Sequence, residues 1–264
     1  MRRKERVDVL MVEAGLVESR AIAQRLVMAG QVLLDGQVVD KSSRRVEEGS
    51  KLAVRSGPRF VSRGGEKLDA ALQAFHVSVD DRVCADVGAS TGGFTDCLLQ
   101  SGARRVYAID VGHGLLHWTL RNDPRVIVME RTNARSLTSL PEHVDLATVD
   151  ASFISLRLLL PPIAGWLHSG GDLVALIKPQ FEAGREAVHR GGVVRDPDEH
   201  RKVLYNVIGW ADERGLGLGG LVRSPLLGPK GNVEFLLWCR KGEAGLSASE
   251  CVEGALRAVE VDRE

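Results

Sequence analysis

No stretch of this chain approaches 18 uninterrupted apolar residues, so no transmembrane helix is available to it. The amino terminus, Met-Arg-Arg-Lys-Glu-Arg, is basic, but Asp8 and Glu13 interrupt the apolar residues after it and no signal core forms. Cysteine is scarce. Cys84, Cys97, Cys239 and Cys251 are widely spaced without a C-x-x-C pair, which reads as small, reduced side chains in a cytoplasmic protein. A metal site is not expected either: His113 and His117 stand four apart on an expected helix, with no third ligand and no H-E-x-x-H glutamate. Net charge is zero, yet unevenly spread, because residues 1–60 hold 12 Lys and Arg against 8 Asp and Glu. A basic head on a mildly acidic remainder suits a head that meets a polyanion while the larger part does other work. At 264 residues the chain has room for one full core and a small second domain.

What is present centres on Arg82 to Phe94. The apolar run Val83 to Val87 has the length and β-branched ends of a buried parallel strand, and it runs into Gly88, Ser90, Gly92 and Gly93. A glycine turn between a strand and a helix lets a nucleotide-like ligand approach backbone N–H groups. Asp110 closes a second apolar run, Val106 to Ile109, about 20 residues on, where a carboxylate can accept from ribose hydroxyls. This pattern describes NAD enzymes and S-adenosylmethionine (SAM) enzymes equally well. Two details favour SAM. The glycines follow G-x-x-x-G-G and not G-x-G-x-x-G, and Asp86 stands two residues before the first glycine, where a carboxylate would suit the cationic amino-acid end of SAM and repel a pyrophosphate.

In the basic head, Val7, Leu10, Met11 and Ala14 predict a helix from about Arg6 to Ala14, and Ser19 caps a second that Gly30 ends. Val32–Leu34, the pair Asp35-Gly36 and Val38-Val39 form a hairpin signal, and Leu52–Val54 offers one more strand. Arg3, Lys4, Arg6, Arg20 and Arg25 precede or line the helices; Lys41, Arg44 and Arg45 leave the hairpin. This arrangement, with Arg6-Val-Asp8, Ser19-Arg20 and Asp35-Gly36, resembles the S4 RNA-binding domain over about 50 residues, and the resemblance implies RNA docking through Arg3, Lys4, Arg6, Ser19, Arg20, Arg25 and Lys41.

Ser56-Gly-Pro-Arg59 reads as a linker, so the expected division is a head of residues 1–58, a joint of 59–63 and a larger domain of 64–264. From Arg82 onward strands (82–87, 105–109, 126–129, 144–149, 171–177, 218–223, 233–239) alternate with helices (93–101, 113–121, 153–168, 196–213, 247–260), which predicts a doubly wound α/β sheet of seven strands. Ligands of such sheets bind beyond the carboxyl ends of the strands. There stand Asp150, opening Asp-Ala-Ser-Phe, and Lys178, opening Lys-Pro-Gln-Phe-Glu. Glu234 is expected inside the last apolar strand, where a carboxylate needs a partner such as a lysine. Lys67 opens a helix marked by Leu68, Ala71, Leu72 and Phe75, against the helix dipole.

Lys67, Asp150, Lys178 and Glu234 are similar to the lysine, aspartate, lysine, glutamate set of SAM-dependent 2′-O-methyltransferases of the FtsJ type. With the S4-like head, the chain closely resembles the TlyA family, also labelled hemolysins. The likeness rests on Ser62-Arg-Gly-Gly-Glu-Lys67, Asp86-Val-Gly-Ala-Ser-Thr-Gly-Gly-Phe94, Leu120-Arg-Asn-Asp-Pro-Arg-Val126, Glu130-Arg-Thr-Asn-Ala-Arg135, Ser152-Phe-Ile-Ser155, Lys178-Pro-Gln-Phe-Glu182 and Gly231-Asn-Val-Glu234. The resemblance implies a Rossmann-like SAM methyltransferase that modifies cytidine 2′-hydroxyls in ribosomal RNA of ribosomal subunits, without metal or membrane, as a monomer or weak dimer. It also implies SAM contacts by Asp86, Gly88, Ser90, Gly92, Gly93, Phe94, Asp110, Val111, Asn133 and Asp150, with Gly112 beside Val111, and an RNA contact by Arg63. Lys178, among neighbouring cations, is the expected base; Lys67 adds positive field, Asp150 orients Lys178, and Glu234 holds the lysines and the ribose. Pro179 to Asp196, with Arg185 and Arg190, reads as a substrate lid. Two other readings stand beside this one: a pore-forming hemolysin and a catalytically idle RNA-binding assembly factor.

Overall fold

The structure is a computed structural model that describes residues 4–47, 49–55, 57–184, 186, 188 and 191–261; Arg3, Arg185 and Arg190 lie outside the described residues. The chain divides into two compact units, Met1–Arg59 and Phe60–Glu264.

In the first unit, strand β1 (Lys4–Arg6) leads into helix α1 (Val7–Glu13), which is followed by α2 (Arg20–Met28), β2 (Val32–Leu34), β3 (Gln37–Val38), β4 (Arg45–Glu47) and β5 (Leu52–Val54). β1 pairs antiparallel with β4, and β2 lies between β3 and β5. The strand at Lys4–Arg6 was not legible in the sequence, because its charged triplet Lys-Glu-Arg has no alternation to read. Val7, Met11, Ala23, Val27, Val32 and Val46 close a small core. Asp8, near the start of α1, is fully buried. It is satisfied by Arg6 (Nε to Oδ1, 2.9 Å), Arg20 (Nη2 to Oδ2, 3.1 Å) and Gln24 (Nε2 to Oδ2, 2.9 Å). Those donors, Arg6 above all, hold its carboxyl well below the usual range. Arg6 and Arg20 are therefore not free surface cations: part of their donor capacity goes to a structural carboxylate. Ser19 spends its hydroxyl on the cap of α2, accepting from Ile22 N. Lys4, Arg25 and Lys41 remain exposed.

The second unit starts at Phe60, not at residue 64. Phe60 is buried against helix α3 (Gly64–Phe75), and Val61 N donates to Asp96 Oδ2 at 2.8 Å, so the expected joint is packed structure. The chain then runs β6 (Val83–Val87), α4 (Gly93–Gln100), β7 (Arg105–Ile109), α5 (Trp118–Arg121), β8 (Val126–Met129), β9 (Val144–Val149), α6 (Leu156–Trp166), β10 (Leu167–Ile177), α7 (Pro179–Glu182), α8 (Pro197–Asp212), β11 (Leu216–Arg223), β12 (Phe235–Lys241) and α9 (Ala248–Val261). The sheet order is β11-β12-β10-β9-β6-β7-β8, parallel from β10 to β8, with β12 antiparallel to both its neighbours. Every residue of β6 is buried because helices cover both faces. One face packs α3 and α4 through Leu68, Leu72, Cys97 and Leu98; the other packs α6, α8 and α9 through Leu160, Ile163, Leu204, Val207 and Val252. Each such aliphatic side chain contributes about 1.5–3 kcal/mol of burial.

The sequence-based boundaries shift at four places. The helix expected over 113–121 is only Trp118–Arg121, because Gly114 is left-handed (φ 71°) and His117 caps from outside. The helix expected from 153 starts at Leu156, since Phe153 adopts φ 64°. β10 extends back to Leu167 through a register shift at Gly170-Gly171, which reads as a stop in sequence. Glu234 lies just before β12 rather than inside it.

Asp86 is fully buried in β6, beneath the glycine turn. Its carboxylate accepts from Thr95 Oγ1 at 2.6 Å and Thr148 Oγ1 at 3.4 Å, tying α4 and β9 to the central strand. Burial pushes its carboxyl up to about 7, with Asp150 adding to the rise.

An acid with a folded-state pKa above its unfolded value keeps its proton longer when folded, so its contribution to stability erodes as pH rises from about 4 and is gone by about 7. The stability of Asp86→Asn, followed by urea unfolding from pH 4 to 8, should therefore fall less with pH than wild type, by on the order of a few kcal/mol; identical slopes would place the charge elsewhere. In the first unit, Asp8→Ala should cost about 1–3 kcal/mol in thermal unfolding, as three donors lose a buried acceptor. An unchanged melting temperature would make this network decorative.

Candidate active site

β6, β7 and β8 step outward to one edge of the sheet, and the chain then crosses back so that β9 pairs on the other side of β6. Order reverses between β6 and β9, and a crevice opens beyond their carboxyl ends, at Gly88 and Asp150. It has two lobes that share Gly88, Ser90, Asp150 and Ser152.

The first lobe, about 420 Å³, is lined by Arg63, Gly64, Lys67, Gly93, Phe94, Lys178 and the turn Leu227–Lys230, among others. α3 carries Lys67 to this lobe because its amino end meets that of α4 closely: a Cβ on Gly93 would lie 2.2 Å from Ser62 Oγ and 2.9 Å from Gly65 N. The Ser62-Arg-Gly-Gly motif is thereby explained as a crossing point of two helix starts. Lys67 Nζ donates to Glu234 Oε2 at 2.5 Å, and both residues are buried. Glu234 Oε1 is buried without a hydrogen-bond partner. Lys178, at the end of β10, has its Nζ 2.7 Å from Asp150 Oδ1 in ion-pair contact, while its hydrogen bond goes to Ser152 Oγ at 2.9 Å. The four residues expected from the sequence thus arrive as two charge pairs. In one respect the expectation is corrected: Glu234 holds Lys67, and the contacts of Lys178 are a carboxylate and a hydroxyl, not neighbouring cations.

The second lobe, about 370 Å³, is walled mainly by apolar side chains, among them Ile109, Val111, Leu115, Ala134, Ile154 and Leu159, with Asp110, Thr132 and Asn133 joining the shared Ser90, Asp150 and Ser152 as its polar side chains. Asp110 accepts from Ser90 N at 2.8 Å and Gly112 N at 2.6 Å, so its carboxylate closes the glycine turn onto the next loop and retains lone pairs for further donors. Asn133 Oδ1 accepts from Arg135 N, which leaves its Nδ2 to donate. An adenosine needs an apolar slot, a carboxylate for its ribose and an amide for its base edge, and this lobe supplies all three. Asp86 and Gly92 line neither lobe. Asp86 supports the turn from below, its carboxylate turned to Thr95 and Thr148, and Gly92 caps α4 at φ 98°.

Three residues that the sequence offered only as ends of motifs, with no role given, carry the site. Glu130 accepts from Arg121 and, each at 2.8 Å, from His113 Nδ1 and Gly114 N; Arg121 first and His113 next bring its carboxyl down to about 2, and the three contacts pin the loop bearing Val111. His113 and His117 are thus a loop partner and a helix cap, and no group of three metal-ligating side chains occurs among the described residues. Glu182 accepts from Ser155 Oγ at 2.6 Å and Leu156 N at 2.8 Å, joining the loops after β9 and β10 that present Ser152 and Lys178. Ser152 stood in the sequence only within the Asp-Ala-Ser-Phe and Ser152-Phe-Ile-Ser155 motifs, with no role of its own. Beside it, Phe153 is 90% exposed, its ring 5.0 Å from that of Phe181.

Comparison with known proteins agrees with this geometry. Residues 60–241 match the FtsJ-like methyltransferase family and residues 5–52 the S4 domain. The chain is 46% identical to TlyA of Mycobacterium tuberculosis (strain CDC 1551 / Oshkosh), named a 16S/23S rRNA (cytidine-2′-O)-methyltransferase, over 98% of both chains. It is 48% identical to YqxC of Bacillus subtilis (strain 168), provisionally named an rRNA methyltransferase, over 98% of this chain and 94% of the other. Among solved structures, a Streptococcus thermophilus chain provisionally described as a hemolysin is 43% identical with a TM-score of 0.73, covering 100% of this chain and 99% of that one. A topological crevice with two charge pairs, reached by a chain that also carries an S4 domain, therefore has a family: this protein belongs to the FtsJ-like methyltransferases, in the branch that includes TlyA.

Proposed function

We propose that this enzyme transfers a methyl group from SAM to the ribose 2′-hydroxyl of a cytidine in 16S or 23S ribosomal RNA, or both, working in the cytoplasm on ribosomal subunits. The observation that carries the reading is the meeting of Lys67, Asp150 and Lys178 in the lining of one lobe, with Glu234 buried behind Lys67, next to a second lobe shaped for adenosine. When bound, SAM supplies an electrophilic methyl on a sulfonium. Ile109, Val111, Asp110 and Asn133 would hold its adenosine, and Gly88, Ser90, Gly93 and Phe94 the part nearer the shared wall.

The 2′-hydroxyl is a weak nucleophile, so the protein must place it and take its proton. Lys178 is the acceptor in this reading, and Asp150 and Ser152 keep its nitrogen aimed into the lobe. Lys67, held by Glu234 from behind the lining, adds positive field where oxygen gains negative charge. Alignment accounts for much of the remaining rate. All of these side chains come from one chain, so a monomer or weak dimer suffices. The S4 domain supports RNA as the substrate class, with Lys4, Arg25 and Lys41 as exposed phosphate contacts and Arg6 and Arg20 shared with Asp8. No helix among the described residues is long and apolar enough to cross a membrane.

Labelled methyl transfer to purified ribosomal subunits, followed by mapping of the product, tests the assignment. Lys178→Ala should lower kcat by about 10²-fold or more while SAM and RNA affinities stay near wild type; full activity would remove Lys178 from the role of base. Glu234→Gln should cost about 3–5 kcal/mol in thermal unfolding, since it strands a buried ammonium. Pairing Lys67→Met with Glu234→Leu should recover that stability and still abolish transfer. Recovered transfer would reduce the pair to scaffolding.

A further inference from the structure

The turn Gly228–Asn232 combines three unusual features. Lys230 adopts φ 61° and ψ 16°, a left-handed conformation that a lysine enters against steric resistance, and its side chain is exposed. Gly228 lies so close to Glu234 that a Cβ there would fall 2.0 Å from Oε1. Asn232, 3% exposed, donates through Nδ2 to Gly192 O at 2.9 Å and Pro229 O at 3.1 Å and accepts from Val194 N at 3.2 Å, so the turn cannot relax. Strain of this kind at the rim of a site points to what the strained residue does. Charge supplies the second argument. Of the four cations that line the first lobe, Lys67 and Lys178 are each neutralised by a carboxylate, whereas Arg63 and Lys230 have no hydrogen-bond or ion-pair partner among the described residues. Among the described residues the rim therefore carries two unpaired positive charges above a floor that is balanced.

We infer that Lys230 is a substrate-binding residue: its ammonium receives a backbone phosphate of the RNA segment that bears the target ribose, and the strained turn holds it there in advance. The inference rests on the RNA ribose methylation proposed above and deepens it. Lysine serves as a point charge for phosphate, and a rigid turn spares the cost of ordering it on binding. Such a contact fixes where the sugar lies relative to Lys178 without reading a base.

Because glycine relieves the left-handed strain, Lys230→Gly removes the cation without unfolding the turn, and Lys230→Arg restores the charge. Full-length wild type and both variants are compared in thermal unfolding, SAM affinity, methyl transfer to mixed purified small and large ribosomal subunits, and affinity for a labelled 20-nucleotide single-stranded RNA at rising KCl. For Lys230→Gly the expected result is an unlowered melting temperature, unchanged SAM affinity, a KM for subunits raised about 5- to 20-fold with kcat nearly kept, and a salt slope smaller by about 0.7, the value for one phosphate on a single strand. Lys230→Arg should return KM and slope to near wild type. An unchanged salt slope and KM in Lys230→Gly, or failure of arginine to restore them, overturns the inference. If wild type transfers no methyl to subunits, the ribosomal reading fails, and the salt slope still decides whether Lys230 meets phosphate.

Discussion

A lysine ammonium and a glutamate carboxylate, both closed off from water, face each other at 2.5 Å across 167 positions of sequence, and the rest of the active site depends on that contact. Lys67 sits in the helix before the first strand of the sheet and Glu234 at the entrance to the last, so the pair joins the two ends of the catalytic fold. Neither charge could remain there alone, since an unpaired buried ion costs several kcal/mol. The pairing also sets what each is available for. Glu234 spends one oxygen on Lys67 and keeps the other, while Lys67 brings positive charge to the lobe without adding net charge to the core.

The crevice itself arises from strand order. Reversal between β6 and β9 leaves the loops after those strands with no crossover helix between them, and both lobes open there. Acidic residues at this seam divide the work by depth. Asp86, fully buried, binds two threonines and braces the turn; Asp110, at the surface of the second lobe, ties the turn to the neighbouring loop; Asp150, between the lobes, faces Lys178. Three carboxylates within one short stretch of sheet edge thus perform three different tasks, decided by what reaches each of them first.

Much of this was legible before any fold was known. Alternating apolar runs and turn residues forecast seven strands, and six of them were placed within about two residues; β10 was read too short because paired glycines usually end a strand rather than bulge within it. Asp150 and Lys178 were identifiable because each ends an apolar run and Glu234 because it was read inside one, where charge is costly without purpose; Lys67 stood out at a helix start, and the resemblance to FtsJ-type enzymes joined the four. Less visible were Glu130, Glu182 and Ser152, whose roles lie in hydrogen bonds to backbone or to other side chains from distant loops. No periodicity reports such bonds.

What the sequence by itself determined is the kind of each element and the family of the whole, because hydrophobic period, glycine turns and motif spacing are local properties of the chain. Pairing was decided only in three dimensions: that Glu234 answers Lys67 and not Lys178, that Asp86 turns inward to Thr95, and that Arg6 and Arg20 are shared with a buried Asp8. Charges select partners by distance and by the removal of water, and both quantities exist only after the strands have stacked and the helices have closed over them.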